Sequence, residues 1–548
     1  VYTLAWNEPD LEGVPSPDAP FSDGVWTPDA EAVAIKDGLI LAVGGAQEME
    51  GFQGASTVIR DLAGAVVVPG LIESHGHYEE LGELAEEVDL VGVTTEEEMV
   101  RRVMARAEGM AEGDWIVGGG WDEGEWANHL PTKDRLSELL PSNPVVLKGL
   151  RGFGIFGNNA ALEAVGITKE SSPPSGGEFV RDEEGALTGV LLNRATPLLR
   201  DAIPERSLEQ RKRVVLHGLN EILQAGYVMG HHAGVFPNHV EAYQALAQEG
   251  ALPIRMEVML STREPGRAMV EEWIRRGPTQ DPDDMLQIRS VKAYYDASLG
   301  SRGAKMIGGY ADMPGEMGEA GAAYGFIEDL VARSMGAGFQ AVIHAIGDGG
   351  NRDVLDFYEA TFAQYPESKS RRHRIEHAQI VHPDDFARFR DHGIVASVQP
   401  THCTSDMPWA PERLCEHRLE GAYAWRTFLD LGVALPLGSD FPVEKTSAWL
   451  GLYAARTRHS VDTGQSWSPE QQLTPLEALL GFTVWPAEAI DAEGWGRLAV
   501  GFRADLAVVD KDPLAEDAAG LLDTTVELTM VDGEIVYTSE DGRFDGAR

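Results

Sequence analysis

Short apolar runs alternate with longer amphipathic stretches along most of the chain. This alternation of strand-like and helix-like segments is typical of a parallel sheet whose faces are covered by helices. Eight strand–helix units of about 30 residues each fit a (β/α)8 barrel of the TIM type, and we predict an α/β fold of this kind. The predicted barrel strands lie at 65–71, 227–231, 254–260, 288–294, 340–344, 373–377, 394–399 and 434–437.

The two ends of the chain have a different pattern, in which short apolar stretches are separated by Asp-Gly and Gly-Gly turns. We therefore expect residues 1–64 and 491–548 to build one small β-sandwich domain together. The stretches that carry this pattern are 1–6, 32–38, 39–45 and 56–62, and then 496–510 and 526–538.

The spacing of the barrel strands indicates one insertion. Between His77 and Lys292 the chain takes more than twice the length that three barrel units need. We place the excess at about 84–207, inside a barrel domain that spans 65–490. The apolar runs within the insertion predict a folded α/β subdomain. These runs are at 114–121, 144–150 and 186–192.

Charge and composition narrow the range of partners. The 548 residues include 88 acidic and 45 basic side chains, which gives a formal net charge of −43 at pH 7. Such a charge repels nucleic acid and anionic membranes, and no apolar run is long enough to span a bilayer. Cys403 and Cys415 are too few for a disulfide scaffold or a cysteine-based zinc site. Neither a nucleic-acid partner nor a membrane span is therefore expected.

The start of the chain bears on localisation. Val1 lies in a stretch that resembles a strand already in progress, so we expect residues to have been lost before it. Both a cytoplasmic and an exported location of a bacterial-type soluble protein stay open. A homodimer is the expected assembly only because two-fold dimers are the commonest oligomers.

The candidate chemistry begins where an apolar run leads into His75-Gly76-His77. Residues i and i+2 of a strand point to the same face, so the two imidazoles project together and Gly76 leaves room between them. Converging imidazoles suit a borderline cation such as zinc. Two polar residues that merely follow a buried strand are the alternative.

Further candidate ligands recur at the ends of later predicted strands. In a (β/α)8 barrel the carboxyl ends of the strands carry the active site. A single histidine in such a position is more often a core or surface residue, whereas recurrence at the spacing of the barrel units favours a divalent metal site. The recurring residues are Lys292, His344, His377 and Asp440.

Seven motifs together resemble those of the amidohydrolase superfamily. In chain order they are VVPGLIESHGH, GGGWDEGEW, VKAYYDASLGSRGAK, VIHAIGDGGNRDVLDFYE, HRIEHAQIVHPDD, ASVQPTH and LGSDFPV. Within the superfamily the chain is most similar to the amidohydrolase-3 branch of YtcJ-like proteins and N-substituted formamide deformylase. The resemblance extends over nearly the whole chain and implies a metal-dependent hydrolase that acts on a small-molecule substrate.

The resemblance also implies roles for single residues. Asp440 would act as a general base as well as a ligand, taking a proton from a metal-activated water and passing it to the leaving amine. Lys292 matches a lysine that related proteins carry as a carbamate between two metals, so one or two divalent ions, with zinc favoured, are implied. An ion pair between Lys292 and Asp296 is the alternative. The implied metal ligands are His75, His77, Lys292, His344, His377 and Asp440.

Candidate substrate contacts are more dispersed. Trp121 and Asp122 lie in the insertion and could close over the pocket. Arg302 follows the fourth strand and could bind a carboxylate or pair with an acid. His373 shares a strand face with His377, and His402 follows the seventh strand.

The chain departs from the family pattern at a few positions. Glu73 replaces the usual aspartate before His75, and His231 and His232 occupy the place of an acidic residue that often follows the second strand. These differences bear on the substrate more than on the metal ligands.

The leading interpretation is hydrolysis of a carbon–nitrogen bond by a metal-activated hydroxide, in an amide, N-formyl or cyclic amide substrate other than an ordinary peptide. Ester or lactone hydrolysis, hydration and isomerisation are alternatives, since the same site chemistry serves several electrophiles. A non-catalytic binding protein that retained the fold is an alternative of another class. A serine hydrolase is disfavoured because the sequence has no Gly-x-Ser-x-Gly elbow.

Overall fold

The computed structural model describes residues 1–121, 131–149, 154–281, 283–515 and 517–539. The chain divides into two compact units. One comprises Val1–Tyr78 and Gly218–Arg548, and the other comprises Glu79–His217. The domain boundaries expected from the sequence stay predictions.

Seven parallel strands form the central sheet of the first unit, and each pairs with the next in chain order. Nearly all their residues are buried, as expected for parallel strands that are covered on both faces. The sheet is a nearly closed barrel, which confirms the predicted fold class. The strands are β1 (Leu71–Gly76), β2 (Tyr227–Val235), β3 (Arg255–Ser261), β4 (Leu286–Tyr294), β5 (Gln340–Ala345), β6 (Arg374–His377) and β7 (Val395–Ser397).

An eighth segment lies between β7 and β1 without forming a regular strand. The backbone N–H of Val398 donates to the carbonyl oxygen of Pro436 at 3.1 Å, and that of Asp440 donates to His75 at 2.8 Å. Pro436 has no N–H to donate, so the segment cannot continue a hydrogen-bonded ladder. The prediction of a strand at 434–437 is therefore wrong in detail, although this segment does contact both neighbours.

The placement of the first predicted strand, 65–71, is also wrong. Val66–Pro69 pairs antiparallel with Leu506–Val509 in the terminal sheet, and the barrel strand β1 begins only at Leu71. The apolar run is continuous on both sides of Gly70, so hydrophobic periodicity could not show where the chain leaves one sheet and enters the other.

Helices follow the barrel strands and cover the outside of the sheet. The helix Asp348–Gln364 buries Val354, Leu355, Tyr358 and Phe362, which recur at helical spacing on one face. The helices that follow β2 to β6 are Pro237–Gln248, Arg267–Arg276, Glu328–Gly336, Asp348–Gln364 and Phe386–His392. Further helices of this unit are Ala46–Met49, Pro400–Asp406, Ala410–Arg413, Glu416–Leu419, Trp425–Asp430, Ala448–Thr457, Pro475–Gly481 and Val484–Ala489.

The two termini share one core, as the sequence predicted. The hairpin Ala32–Lys36 and Leu39–Gly44 packs through Ile40 against Val67 and Leu506. The four-stranded antiparallel sheet has the order Glu534–Thr538, Val526–Val531, Leu506–Val509, Val66–Pro69. The stretches 1–6 and 56–62, which were also expected to be strands, are irregular.

The second unit is a folded α/β structure with its own core, which confirms the predicted character of the insertion. Buried residues such as Val103, Leu147 and Phe156 form that core. Its six-stranded sheet has the order Gly177–Arg181, Leu187–Asn193, Gly154–Gly157, Val145–Gly149, Ile116–Trp121, Val88–Asp89. Its helices include Glu96–Ala107, Asp134–Leu139, Asn159–Ala164 and Pro197–Arg200, and the helices Tyr78–Glu86 and Leu208–Leu223 contain the two unit boundaries.

Within the described ranges, none of the helices is both long enough and apolar enough to cross a membrane.

Candidate metal centre

Strand β1 carries the first two histidines to its carboxyl end. His75 lies in the strand with only 1% of its surface exposed, and His77 follows directly after it. The two ring centroids are 5.6 Å apart. A Cβ atom on Gly76 would lie 2.6 Å from the Phe441 ring, so only glycine fits between the histidines.

Asp440 joins these histidines from the eighth segment. Its Oδ1 atom lies 3.0 Å from Nε2 of His77 and 3.6 Å from Nε2 of His75. The Asp440 backbone has a φ of 61°, in the left-handed region that non-glycine residues seldom adopt. Such strain is common where a side chain is held for function.

A buried carboxylate fixes the backbone of this segment. Glu73 accepts hydrogen bonds from the backbone N–H and the hydroxyl of Ser439, at 2.9 and 2.8 Å, and from the N–H of His75 at 3.0 Å. Burial raises the pKa of Glu73 to about 7 against the opposing effect of these donors. The longer side chain at this departure from the family pattern therefore links β1 to the segment that carries Asp440.

Three more histidines complete the cluster from β5, β6 and the helix after β7. The ring centroid of His377 lies 4.4 Å from that of His344, 5.0 Å from that of His75 and 5.8 Å from that of His402. Nε2 of His402 is 3.6 Å from Oδ2 of Asp440. Two groups in the described part of the chain therefore have ligand atoms close enough to hold a metal ion: His75, His77 and Asp440, and His377, His402 and Asp440.

Hydrogen bonds orient two of these rings. Nδ1 of His377 donates to the side-chain oxygen of Gln399 at 2.8 Å, and Nδ1 of His75 contacts the carboxylate of Glu376. When Nδ1 has a hydrogen-bond partner, the lone pair of Nε2 is free to bind a metal ion, and metal-binding histidines are usually held in this way.

The protonation states fit a metal ligand set. Burial lowers the pKa of His75 to about 4, with a further lowering by Lys292 that Glu376 and Asp440 oppose. Burial also holds the pKa values of His344 and His377 well below the usual range. Neutral imidazoles have free lone pairs, so these rings are ready to bind a cation near neutral pH.

Several buried polar atoms at the centre form no hydrogen bond in the part of the chain that the structure describes. These atoms are Nε2 of His344, Nε2 of His402 and Nζ of Lys292. Buried polar atoms normally form hydrogen bonds, and unpaired ones call for an explanation such as a bound ion. Together with a carboxylate, this donor set is suitable for a divalent metal.

Lys292 lies on β4 with its side chain buried. Burial lowers its pKa to about 8, although Glu376 and Asp440 act in the opposite direction. The alternative ion pair with Asp296 is not formed, since Asp296 instead accepts the backbone N–H groups of Lys305, Ile346 and Gly347, each at 2.9 Å.

Sequence reasoning missed Glu376, which is fully buried on β6. Its carboxylate contacts His75 and pairs with Arg374, whose Nε is 2.8 Å away. Arg374 also donates to the carbonyl oxygen of Ser74 and to the hydroxyl of Ser397. The available signal was an arginine and a glutamate two residues apart in a strand that is predicted to be buried. Charged side chains are almost never fully buried unless they are paired.

Of the predicted substrate residues that the structure describes in the first unit, His402 lies at the cluster. Trp121 is fully buried in the core of the second unit, and its Nε1 donates to the Leu147 carbonyl oxygen at 2.9 Å. Asp122 lies outside the described residues. Arg302 forms an ion pair with Asp312 at 2.5 Å, which is the alternative that the sequence left open.

His373 lies at the other end of β6 from His377. Its Nδ1 accepts from the N–H of Ala341 and its Nε2 donates to the carbonyl oxygen of Ser368, both at 2.9 Å. Its ring stacks on Tyr358. These contacts are those of a buried structural histidine and give no support to a role in substrate binding.

The two histidines of β2 differ in their surroundings. Nδ1 of His231 lies 3.1 Å from Arg374, while Nδ1 of His232 lies 3.0 Å from the hydroxyl of Tyr243. The His232 ring is 6.3 Å from that of His77, so it borders the centre without being one of its grouped ligands.

The fold and the site together define a barrel protein with a candidate metal centre of imidazoles and a carboxylate at the carboxyl ends of its strands. The chain belongs to the amidohydrolase family, whose family model matches residues 58–537. This match confirms the resemblance to the amidohydrolase-3 branch.

Similar proteins support the same assignment. YtcJ of Bacillus subtilis (strain 168), an amidohydrolase by name, is 29% identical over 92% of this chain and 96% of its own length. N-substituted formamide deformylase of Arthrobacter pascens is 27% identical over 93% of this chain and 95% of its own. The crystal structure of an uncharacterised metal-dependent hydrolase from Pyrococcus furiosus has a TM-score of 0.72 and 28% identity, and the match covers 88% of this chain and 95% of that one.

Proposed function

We propose that this protein is a metal-dependent hydrolase of carbon–nitrogen bonds in amide, N-formyl or cyclic amide substrates other than ordinary peptides. The observation that carries the proposal is the position of Asp440. Its two carboxylate oxygens lie within 3.6 Å of imidazole nitrogens of His75, His77 and His402, which come from two separate parts of the barrel rim. The relationship to N-substituted formamide deformylase favours the carbon–nitrogen bond.

The residues that would hold a divalent ion, with zinc favoured, are His75, His77, His344, His377 and Asp440, with His402 as an additional candidate. When bound, such an ion lowers the pKa of a water molecule and polarises the carbonyl group of the substrate. The two ligand groups share Asp440, which is consistent with one or two ions per chain.

Asp440 would also transfer protons. Burial alone would raise its pKa, but the neighbouring imidazoles of His75 and His77 hold the pKa well below the usual range, so the carboxylate is ionised at neutral pH. One of its oxygens would accept the proton of the attacking water and later donate it to the leaving nitrogen. No side-chain nucleophile is needed for this reaction.

Lys292 would serve as a ligand after modification. A pKa of about 8 leaves a fraction of the amine neutral near pH 7. The neutral nitrogen can attack carbon dioxide, forming an N–C bond and releasing one proton to solvent. The resulting carbamate would replace the buried ammonium by an anion with oxygen donors, which an ammonium cannot offer.

The proposal is tested with purified protein loaded with Zn²⁺ and assayed on matched N-formyl amines and formate esters. We expect release of amine from the amides, abolished by chelation and restored by Zn²⁺. In the Asp440→Asn variant we expect kcat to fall by about 10²- to 10⁴-fold, the usual contribution of a general base. Full activity after thorough chelation, or turnover of esters alone, would contradict the proposal.

A further inference from the structure

A cavity of about 660 Å³ opens beside β3 and β4 in the first unit. Its lining includes Thr262 and Arg263, which follow β3, Tyr295, which follows β4, and Phe326. Pockets that bind small molecules usually measure about 300–1,000 Å³, so the cavity is large enough for part of a substrate.

Direct contacts connect this cavity to the candidate metal centre. The N–H and the hydroxyl of Thr262 both donate to the carbonyl oxygen of Lys292, at 3.0 and 3.1 Å. The Tyr294 ring centroid lies 3.6 Å from the guanidinium carbon of Arg263, 5.1 Å from Nζ of Lys292 and 5.9 Å from the ring of His344. One aromatic ring therefore contacts both Arg263 and two residues of the centre.

The guanidinium of Arg263 lies against two aromatic rings. Its guanidinium stacks on Tyr294 and lies 5.3 Å from the ring centroid of Tyr324. No carboxylate of the described residues forms an ion pair with it within 4.0 Å, even though Glu264 and Glu328 line the same cavity. Arg267, the second arginine of the cavity lining, also forms no ion pair with a described residue, but it is exposed, whereas Arg263 is half-buried and stacked.

Stacking determines which part of the guanidinium stays available. An aromatic ring covers the face of the planar group, whereas the N–H donors point outward along its edge in a fork that matches a carboxylate. A bidentate pair of this kind is both strong and geometrically specific. A half-buried, stacked guanidinium beside the cavity is thus prepared to bind a planar anion.

We propose that Arg263 is a specificity-determining residue that binds a carboxylate group of the substrate. The inference rests on the proposed function, because it places the bond to be hydrolysed at the histidine cluster and the carboxylate in the adjoining cavity. The preferred substrate is then an anionic amide, such as an N-acylated or N-formylated amino acid, over a neutral amide.

The test uses two matched probes, N-formylphenylalanine and its neutral carboxamide, with Zn²⁺-loaded protein. The wild type should prefer the carboxylate. In Arg263→Gln we expect kcat/KM for the carboxylate to fall by about 10- to 100-fold, the size expected for a charge-assisted bidentate pair, and kcat/KM for the carboxamide to change by less than about threefold. Arg263→Lys should recover only part of the preference, since an ammonium lacks the fork.

Arg276→Gln is the matched control. Arg276 is exposed and also stacks on an aromatic ring, that of Trp273 at 4.4 Å, but it does not line the cavity. The ratio of kcat/KM between the two probes should stay unchanged in this variant. An unchanged ratio in Arg263→Gln would overturn the proposal.

Calorimetry separates this inference from the proposed reaction. In the Asp440→Asn background, N-formylphenylalanine should bind more tightly than its carboxamide. Adding Arg263→Gln should raise the dissociation constant of N-formylphenylalanine about 10-fold or more. That result without turnover by the wild type would support the anion site and contradict the hydrolase. Equal binding of both probes, or binding of neither, would overturn the anion site whatever the catalytic result.

Discussion

A buried carboxylate that is not a proposed metal ligand orients one of the ligands at the centre. Glu376 contacts Nδ1 of His75 and is itself held by Arg374. Carboxylate partners of this kind fix the ring orientation of a ligating histidine, and their removal typically lowers metal affinity by about 10- to 100-fold. We therefore expect Glu376→Gln to raise the dissociation constant for Zn²⁺ by about that factor, measured by competition with a chromophoric chelator.

Glu257→Gln is the control for this prediction. Glu257 is an equally buried carboxylate, on β3, and accepts a hydrogen bond from the Ser290 hydroxyl at 2.6 Å without contacting the histidine cluster. Its substitution should leave the Zn²⁺ affinity unchanged. Equal losses in the two variants would show a general effect on the barrel and not the positioning of His75.

His373 gives a pH dependence with a defined sign. Burial lowers its pKa from 6.5 to about 4 in the folded protein, although the bond to the Ser368 carbonyl oxygen opposes this. Between these values the unfolded chain binds a proton that the folded chain does not. The contribution of His373 to the free energy of unfolding therefore falls as the pH falls through this window, by up to about 1.4 kcal/mol per pH unit.

The His373→Gln variant lacks the imidazole that takes up this proton in the unfolded chain. We expect the urea midpoint of the variant to fall less steeply than that of the wild type between pH 7 and pH 5. His417→Gln, which replaces an exposed histidine, should retain the wild-type slope. Parallel slopes for all three proteins would contradict the assignment.

At the scale of elements, the passage from the terminal sheet into the barrel depends on Gly70. This residue lies between Val66–Pro69 and β1, and a Cβ atom at this position would lie 2.2 Å from Cγ1 of Val228 on β2. Gly70→Ala should therefore lower the free energy of unfolding by about 1–3 kcal/mol through overpacking. Chemical denaturation measures the change.

The double variant Gly70→Ala, Val228→Ala tests the cause of that loss. Val228→Ala alone should also be destabilising, because it removes buried methyl groups. Since the second substitution removes the two nearest clashing atoms, Cγ1 and Cγ2, the double variant should be more stable than the sum of the single effects predicts. Strict additivity would mean that the clash is not the reason.

The same junction shows where elements could not be predicted. Alternation and spacing predicted the strands that hold His344 and His377, because each is followed by a separate helix. The apolar run through Gly70 belongs to two sheets, and nothing in its hydrophobicity marks the change. The eighth segment also lacks a regular ladder, because Pro436 interrupts it.

At the scale of the whole molecule, the sequence predicted the convergence of distant residues because a barrel brings all its strand ends to one rim. This argument from topology predicted that His75, His344, His377 and Asp440 lie close together. It could not show contacts that depend on the orientation of single side chains, such as those of Glu376 or Arg263. For the same reason it could not show that the Trp121 side chain is buried in the core of the second unit.

The central claim is that these strand ends hold a divalent metal that the chain uses for hydrolysis. Anomalous diffraction from crystals of active, Zn²⁺-loaded protein tests it most directly. We predict an anomalous peak about 2.0–2.2 Å from imidazole nitrogens of His75 and His77 and from a carboxylate oxygen of Asp440, the usual Zn²⁺ ligand distances. A rim without such a peak in catalytically active crystals would contradict the account.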